Sequence, residues 1–174
     1  MQLETSRLLL RELTQDDFAE LYKILSDKET MEHYPNPFSK DKVRGWIDWN
    51  INNYKTFGFG LFAVVLKENG QMIGDCGITM QTINGRVRPE IGYHINKNYQ
   101  NKGYATEAAI KCRDFIFENT TFQTIYTYMK YTNVGSYSVA IKNGMRLVEE
   151  YEDPVNRNTK VYAITRTEWE TKNK

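Results

Sequence analysis

The first third of the chain carries apolar residues at strand spacing and then, twice, at helical spacing. Residues 7–12 contain the apolar run Leu8–Leu10 and predict a short strand. Thr14 precedes Asp17 by three positions, the spacing of a capping box, and apolar residues then recur every three or four positions. After a loop with two prolines, Ser39 can cap a second such stretch that extends to Tyr54. The pattern therefore predicts one strand followed by two amphipathic helices.

The period changes to that of strands after this second helix. Three strands are predicted, at about 58–66, 72–80 and 87–95. Asn69-Gly70 and Asn84-Gly85 lie between them, and asparagine–glycine pairs are typical of tight hairpin turns. This middle part of the chain is therefore expected to form two consecutive antiparallel hairpins.

The last part of the chain alternates between the two periods. A helix is predicted at about 104–118, and a strand follows at 124–130. Asn133 can cap a short helix that Gly144 ends, and two final strands complete the pattern at about 145–151 and 159–166. The whole order predicts a mixed α/β fold: one domain over residues 1–174, with a central, mostly antiparallel, twisted sheet of about seven strands and four flanking helices.

Charge and cysteine content narrow the function classes. The 23 Lys and Arg residues nearly balance the 22 Asp and Glu residues, so nothing favours a nucleic-acid or anionic membrane partner. No segment approaches the ~20 apolar residues of a membrane span, and we expect a cytoplasmic protein. Cys76 and Cys112 are too few for a zinc site and fall on apolar faces. They are expected to be buried free thiols, and no metal is expected.

The loop of residues 99–107 is the clearest candidate for a ligand site. It follows a strand, opens a helix, and places Gly103 and the small Ala105 at the turn. Free N–H groups at such a helix start can receive a pyrophosphate, and Lys102 could add a charge. The spacing matches neither a Walker A loop nor a dinucleotide fingerprint. A strand–glycine–helix turn that binds nothing is the alternative.

Gln100-x-x-Gly103-x-Ala105, after the strand Glu90–Ile95, resembles the acetyl-CoA loop of the GNAT superfamily of N-acetyltransferases. Further segments resemble the branch of the ribosomal-protein N-terminal acetyltransferases RimJ and RimL: Leu3–Leu8, Gly103–Ala108, Asn133-x-x-Ser136 and Lys142–Met145. The family usually has Gly-Phe where this chain has Gly144-Met145. The resemblance covers residue 3 to about residue 168.

The resemblance implies a GNAT-like acyl-CoA transferase fold and acetyl transfer from acetyl-CoA to a primary amine, by direct attack in a ternary complex. The acceptor would be a protein N-terminal amine. The alternatives are a small-molecule amine (polyamine, amino acid or antibiotic) and a non-catalytic acyl-CoA-binding module. A monomer or homodimer is expected. The residues implied for acetyl-CoA are His94, Ile95, Gln100, Asn101, Lys102, Gly103, Tyr104, Ala105, Thr106 and Asn133. For His94 and Ile95, the resemblance places the backbone N–H groups against the acetyl group and the pantetheine arm.

Glu90 is the residue that the resemblance implies as the base that deprotonates the amine. The strand period places it on one face with Gly92 and His94, opposite Tyr93. The alternative is a carboxylate paired with a cation such as Arg88. His94 could titrate near neutral pH, although a packed or surface histidine is the simpler interpretation.

The acid that protonates the leaving thiolate is left open. Some branches of the family place a tyrosine at the position of Ala140, so this chain needs another donor. Ser136 is the nearest family match, with Tyr137 and water as alternatives. Asn133 can serve both the pantetheine arm and the start of its helix.

The acceptor is expected between two variable loops, residues 29–38 and 152–158. Glu32 and Tyr34 are the candidate substrate-binding residues, because acidic and aromatic side chains suit a cationic amine. A solvated charged surface is the alternative. Trp46 lies on the apolar stripe of the second helix and is assigned to the core.

Overall fold

The protein is described by a computed structural model that covers residues 1–172. Within these residues, eight strands form one sheet and five α-helices accompany it. Their bounds are β1 Gln2–Glu4, β2 Leu8–Glu12, α1 Phe18–Leu25, α2 Lys40–Phe57, β3 Leu61–Leu66, β4 Met72–Ile83, β5 Arg86–Ile95, α3 Tyr104–Asn119, β6 Thr124–Lys130, α4 Val134–Lys142, β7 Arg146–Asp153, β8 Arg157–Thr165 and α5 Arg166–Lys172.

The strand order is β1-β2-β3-β4-β5-β6-β8-β7. All neighbouring pairs are antiparallel except β5 and β6, which run parallel because helix α3 connects them. The predicted mixed fold with one mostly antiparallel sheet is confirmed.

Two terminal elements add to the predicted count of strands and helices. β1 has three residues and pairs with β2, with Leu3 opposite Leu10. A strand this short shows no alternation that a sequence pattern could reveal. At the other end, the predicted strand stops at Thr165 and α5 follows. The Glu168 carboxylate accepts hydrogen bonds from the N–H (2.8 Å) and the hydroxyl (2.9 Å) of Thr165, which fixes the start of α5.

Two hydrophobic cores lie on opposite faces of the sheet. The core under α1 and α2 includes Ala63 and Val65, whereas the core under α3 and α4 includes Phe62 and Val64. Because both faces are covered, β3 is buried along its whole length and its sequence is apolar without alternation.

The predicted helix starts are confirmed by their hydrogen bonds. The Ser39 side chain accepts from the N–H of Lys42 (3.2 Å), and the Asn133 side chain accepts from the N–H of Ser136 (3.0 Å). Gly144 lies just beyond α4 with φ of 84°, the left-handed backbone of a helix end.

Both cysteines are free and buried, as predicted. Among residues 1–172, no helix combines the length and the apolar character that crossing a membrane requires.

Candidate active site

The site lies where the sheet opens between β5 and β6. β4 and β5 pair at ten positions, from Gly74–Ile95 to Ile83–Arg86. Within the described residues, β5 and β6 are bridged only at Glu90–Tyr126. Beyond this bridge the two strands separate, and residues 91–94 and 127–130 line a cavity between them.

Two cavities meet in this gap. The inner cavity, of about 330 Å³, extends from Glu90 towards α2 and the β7–β8 loop. The outer groove, of about 680 Å³, extends from Ile95 along the start of α3 to α4. Six residues line both and therefore mark their junction: His33, Tyr34, Tyr93, His94, Asn133 and Ser136.

The outer groove ends at the start of α3, where the sequence predicts a binding site for a pyrophosphate. Gly103 precedes the helix with φ of 82°, a backbone that favours glycine, and no side chain caps the helix there. The first-turn N–H groups therefore keep their capacity to bind an anion. The groove is lined here by six of the residues expected at acetyl-CoA: Gln100, Asn101, Gly103, Tyr104, Ala105 and Thr106.

An arginine and a glutamate that the sequence analysis did not select fix this loop. Arg7 donates to the carbonyl of Lys102 (3.0 Å) and to the carboxylate of Glu107 (2.7 Å). Glu107 also accepts from Thr5 and from the N–H of Arg7, and these hydrogen bonds outweigh its burial and lower its pKa. The N-terminal segment is thereby attached to α3, next to the groove.

The side chain of Lys102, expected to add a positive charge near a phosphate, lies away from the outer groove. Its ammonium lies over the ring of Tyr99, 5.3 Å from the centroid, and Lys102 does not line the outer groove. The positive end of α3 thus faces the groove without that lysine.

Glu90 lines the inner cavity and is 9% exposed. Burial raises its pKa to about 8. The alternative partner Arg88 binds Glu149 instead (2.9 Å). Gly92 leaves room for the carboxyl, since a Cβ at that position would come within 2.9 Å of Glu90 Oε2. Burial therefore makes Glu90 a carboxyl group that titrates near pH 8.

His94 is held by a buried carboxylate. Its Nδ1 lies 2.7 Å from Oδ1 of Asp75, which is fully buried, and the indole of Trp46 donates to the other Asp75 oxygen (2.9 Å). The backbone N–H of His94, expected to face the acetyl group, also donates to Asp75 (3.1 Å). The histidine therefore presents its ring, and not its N–H, to the junction of the two cavities.

Ser136 and Asn133 lie together at the start of α4, and both line the junction. The Tyr93 hydroxyl lies within hydrogen-bond distance of both the Ser136 carbonyl oxygen (3.1 Å) and Ser136 Oγ (3.0 Å), and so ties β5 to the start of α4. Tyr137 does not line either cavity; its ring stacks on Tyr162 at 6.4 Å.

The expected acceptor loops contribute aromatic surface more than negative charge. Tyr34 lines the junction, whereas Glu32 lines the outer groove with its carboxylate 3.3 Å from Nε2 of His33. Glu29 pairs with Lys97 (3.1 Å), and Asp153 accepts hydrogen bonds inside its own hairpin loop.

Three residues of the site were not selected from the sequence: Asp75, Trp46 and Tyr93. A charged residue inside the apolar run 72–80 is a signal that could have identified Asp75, because carboxylates are rarely buried without a partner. Trp46 is half-buried and lines the inner cavity, so the helical stripe gave no indication of its polar contact.

The acetyltransferase (GNAT) domain family matches residues 7–146. The uncharacterized N-acetyltransferase YnaD of Bacillus subtilis is 30% identical over 175 residues, which covers 97% of this chain and 99% of that protein. An acetyltransferase from Agrobacterium tumefaciens has a similar crystal structure, with a TM-score of 0.81, 27% identity and 94% of each chain covered. RimL, a ribosomal L7/L12 alpha-N-protein acetyltransferase solved with coenzyme A, has the same fold (TM-score 0.79, 16% identity, 95% and 98% covered).

The fold and the matched family define an acyltransferase class that binds acetyl-CoA and an amine acceptor. The chain belongs to the GNAT acetyltransferase family.

Proposed function

We propose that this protein transfers the acetyl group of acetyl-CoA directly to the primary amine at the N-terminus of a peptide or protein. The junction of the two cavities supports this proposal most strongly, because a donor in one and an acceptor in the other would meet at Tyr34, His94 and Ser136. Holding two reactants at such a meeting point is itself a large part of catalysis.

The donor would occupy the outer groove. The uncapped start of α3 suits its pyrophosphate, and Asn133 and Ser136 line the groove where the pantetheine arm would pass. When bound, acetyl-CoA supplies the activated thioester carbon that the amine attacks. Ile95, at the end of β5, lines the same groove and is the remaining candidate for a backbone contact to the donor.

Glu90 would remove the proton that an ammonium group carries at neutral pH. A pKa of about 8 makes its carboxylate a stronger base than an exposed glutamate, while a useful fraction is still ionised near that pH. Ser136 would donate a hydrogen bond to the leaving sulfur, because it lines the groove along which the pantetheine arm would pass.

The inner cavity favours an apolar or aromatic first residue on the acceptor. Its wall includes several aromatic rings and two lysines, Lys42 and Lys130, whereas Glu90 is the single carboxyl among its lining residues. A polyamine or an aminoglycoside would meet too few negative charges there. Tyr34 and Val155 are 42% and 65% exposed at the rim and could contact the residues that follow the first one.

The second candidate is a small monoamine with an aromatic body. The cavity volume of about 330 Å³ is at the lower end for a ligand pocket and suits a single side chain or a small molecule of that size.

The experiment is release of free CoA thiol from acetyl-CoA with a matched acceptor panel: peptides starting with Phe, Ala or Lys, then phenethylamine and spermidine. We expect the highest kcat/KM for the Phe peptide and the lowest for spermidine. Highest activity with phenethylamine would favour the small-amine candidate. Binding of CoA without turnover of any acceptor would contradict both and favour a binding module.

A further inference from the structure

The imidazole of His94 has one nitrogen anchored and the other left free. Nδ1 lies 2.7 Å from the fully buried Asp75, while Nε2 is buried and has no hydrogen-bond partner among residues 1–172. The only other histidine of the chain, His33, differs: it is partly exposed and its Nε2 pairs with Glu32. A buried polar atom without a partner is rare in a folded protein and calls for an explanation.

The anchoring determines what the free nitrogen can do. In the neutral form of the ring, a carboxylate partner at Nδ1 favours the proton on Nδ1, and Nε2 then carries a lone pair. Asp75 is itself fixed by the indole of Trp46 (2.9 Å). The lone pair therefore belongs to a residue that lines both cavities, at the place where donor and acceptor would meet.

We propose that His94, oriented by Asp75, is a second catalytic proton-transfer group beside Glu90. The inference rests on the proposed acetyl transfer. It assigns to His94 the transfer of the second proton of the ammonium group, since Glu90 accepts only the first. An ammonium must lose one proton to become nucleophilic and a second after its nitrogen has bonded to carbon. The Ser136 hydroxyl is too weakly acidic to supply a net proton to a thiolate, so a titratable group is needed for the sulfur.

The step balances with two groups. Glu90 carboxylate takes the first proton and the neutral amine forms the N–C bond. His94 Nε2 takes the second proton from that nitrogen as the C–S bond breaks, and Asp75 stabilises the resulting imidazolium. His94 then gives this proton to the CoA thiolate, so that amide and free thiol leave and the imidazole is neutral again. Glu90 releases the first proton to solvent, which restores its carboxylate for the next turnover.

The titratable groups that line the same two cavities come from several elements. They are Glu90 and Tyr93 on β5, Lys42 on α2, Tyr128 and Lys130 on β6, Glu32, His33 and Tyr34 in the loop before α2, Tyr99 and Tyr104 around the start of α3, and Lys142 on α4. Apart from Asp75, the ring contacts that the structure gives His94 are aromatic: Tyr34 at 4.9 Å, Trp46 at 5.9 Å and Phe38 at 6.2 Å between centroids.

The first test needs no acceptor. Nitrogen-15 NMR of the His33→Gln protein leaves a single histidine to observe, and we expect its neutral ring to carry the proton on Nδ1. A proton on Nε2 of the neutral ring would overturn the proposal. This result stands whether or not the acceptor in the proposed function is correct.

The second test measures turnover in a wild type shown to be active; a wild type inactive with every acceptor would refute the proposed function instead. We expect His94→Gln to lower kcat about 100-fold while the Kd for CoA stays within about twofold. Asp75→Asn should act through His94, so the kcat of the double variant should be little lower than that of His94→Gln alone.

Free imidazole should restore part of kcat to His94→Ala but not to Glu90→Ala. A folded His94→Gln protein with kcat within threefold of wild type would overturn the proposal.

Discussion

Glu90 is buried but lines the inner cavity, so the proposed reaction depends on the protonation state of its carboxyl group. The carboxyl is 9% exposed and has a pKa of about 8. Its usual alternative, an ion pair along the strand, is excluded because Arg88 binds Glu149. Burial without a cation partner is an arrangement that raises a carboxyl pKa towards the working range of a base.

The rate of acetyl transfer should rise with pH through about 8 if ionised Glu90 is the base. Glu90→Gln should lower kcat by about 100-fold and remove this rising limb, leaving only the titration of the acceptor amine. The measurement is kcat/KM from pH 6 to 9.5, with CoA affinity determined by calorimetry as the control. Parental rates at every pH would exclude Glu90 from the mechanism.

The same residue should make the wild type less stable as pH rises. Between pH 4.5 and about 8 the folded protein retains a proton that the unfolded chain releases, so the free energy of unfolding falls across this window. The slope is at most about 1.4 kcal/mol per pH unit. Glu90→Gln has no carboxyl group at this position, so its free energy of unfolding should not fall for this reason.

Thermal unfolding at pH 5 and pH 8.5 checks this prediction. The variant should gain stability relative to the wild type at the higher pH, and the gain should be far smaller at pH 5. An equal difference at both values would mean that Glu90 is not buried as described.

At the scale of elements, the start of α3 depends on one glycine and its neighbours. Gly103 has φ of 82°, and a Cβ there would lie 3.3 Å from the Arg7 guanidinium. A β-branched residue would therefore strain the backbone and displace the arginine that fixes the loop.

Gly103→Val should raise the Kd for CoA at least about tenfold, because it also blocks close approach to the first-turn N–H groups. Gly85→Val is the matched control: it has a similar positive φ of 75°, has open space around it, and lines neither cavity. Calorimetric titration of both folded variants with CoA decides the point. Equal affinities would contradict the assignment of this loop.

At the scale of the whole molecule, the sheet separates the two cysteines from Glu90 and His94, the two proposed proton-transfer groups. Cys76 and Cys112 lie in the core under α3 and α4, 3.9 Å apart between sulfurs. The neighbouring strand residue Asp75 instead points with His94 to the other face. The hydrogen bond with Cys112 and burial raise the pKa of Cys76 well above its ordinary value.

No acetyl-cysteine intermediate should therefore form. Cys76→Ala and Cys112→Ala should keep kcat within about twofold and lose about 1 kcal/mol of stability each from the vacated volume. Double-reciprocal plots should intersect, as in a ternary complex. Parallel lines, or labelled acetyl group retained on the denatured protein, would overturn direct transfer.

The sequence by itself determined the local structure, including the strand-to-helix loop before α3, because these features depend on contiguous residues. Alternating and helical periods located the main elements, the asparagine–glycine pairs located the hairpin turns, and Gly103 located the strand-to-helix turn. Glu90 was selected through the resemblance of its strand to the acetyltransferase family, and its role as the base stays a prediction.

Only the tertiary structure decided which distant side chains meet. Asp75, Trp46 and His94 lie on three elements, and their contact depends on how β4 and β5 pair and how α2 packs against them. Arg7 and Glu107 are likewise 100 residues apart. The raised pKa of Glu90 has the same origin, since burial is a property of the assembled chain and cannot be read from one strand.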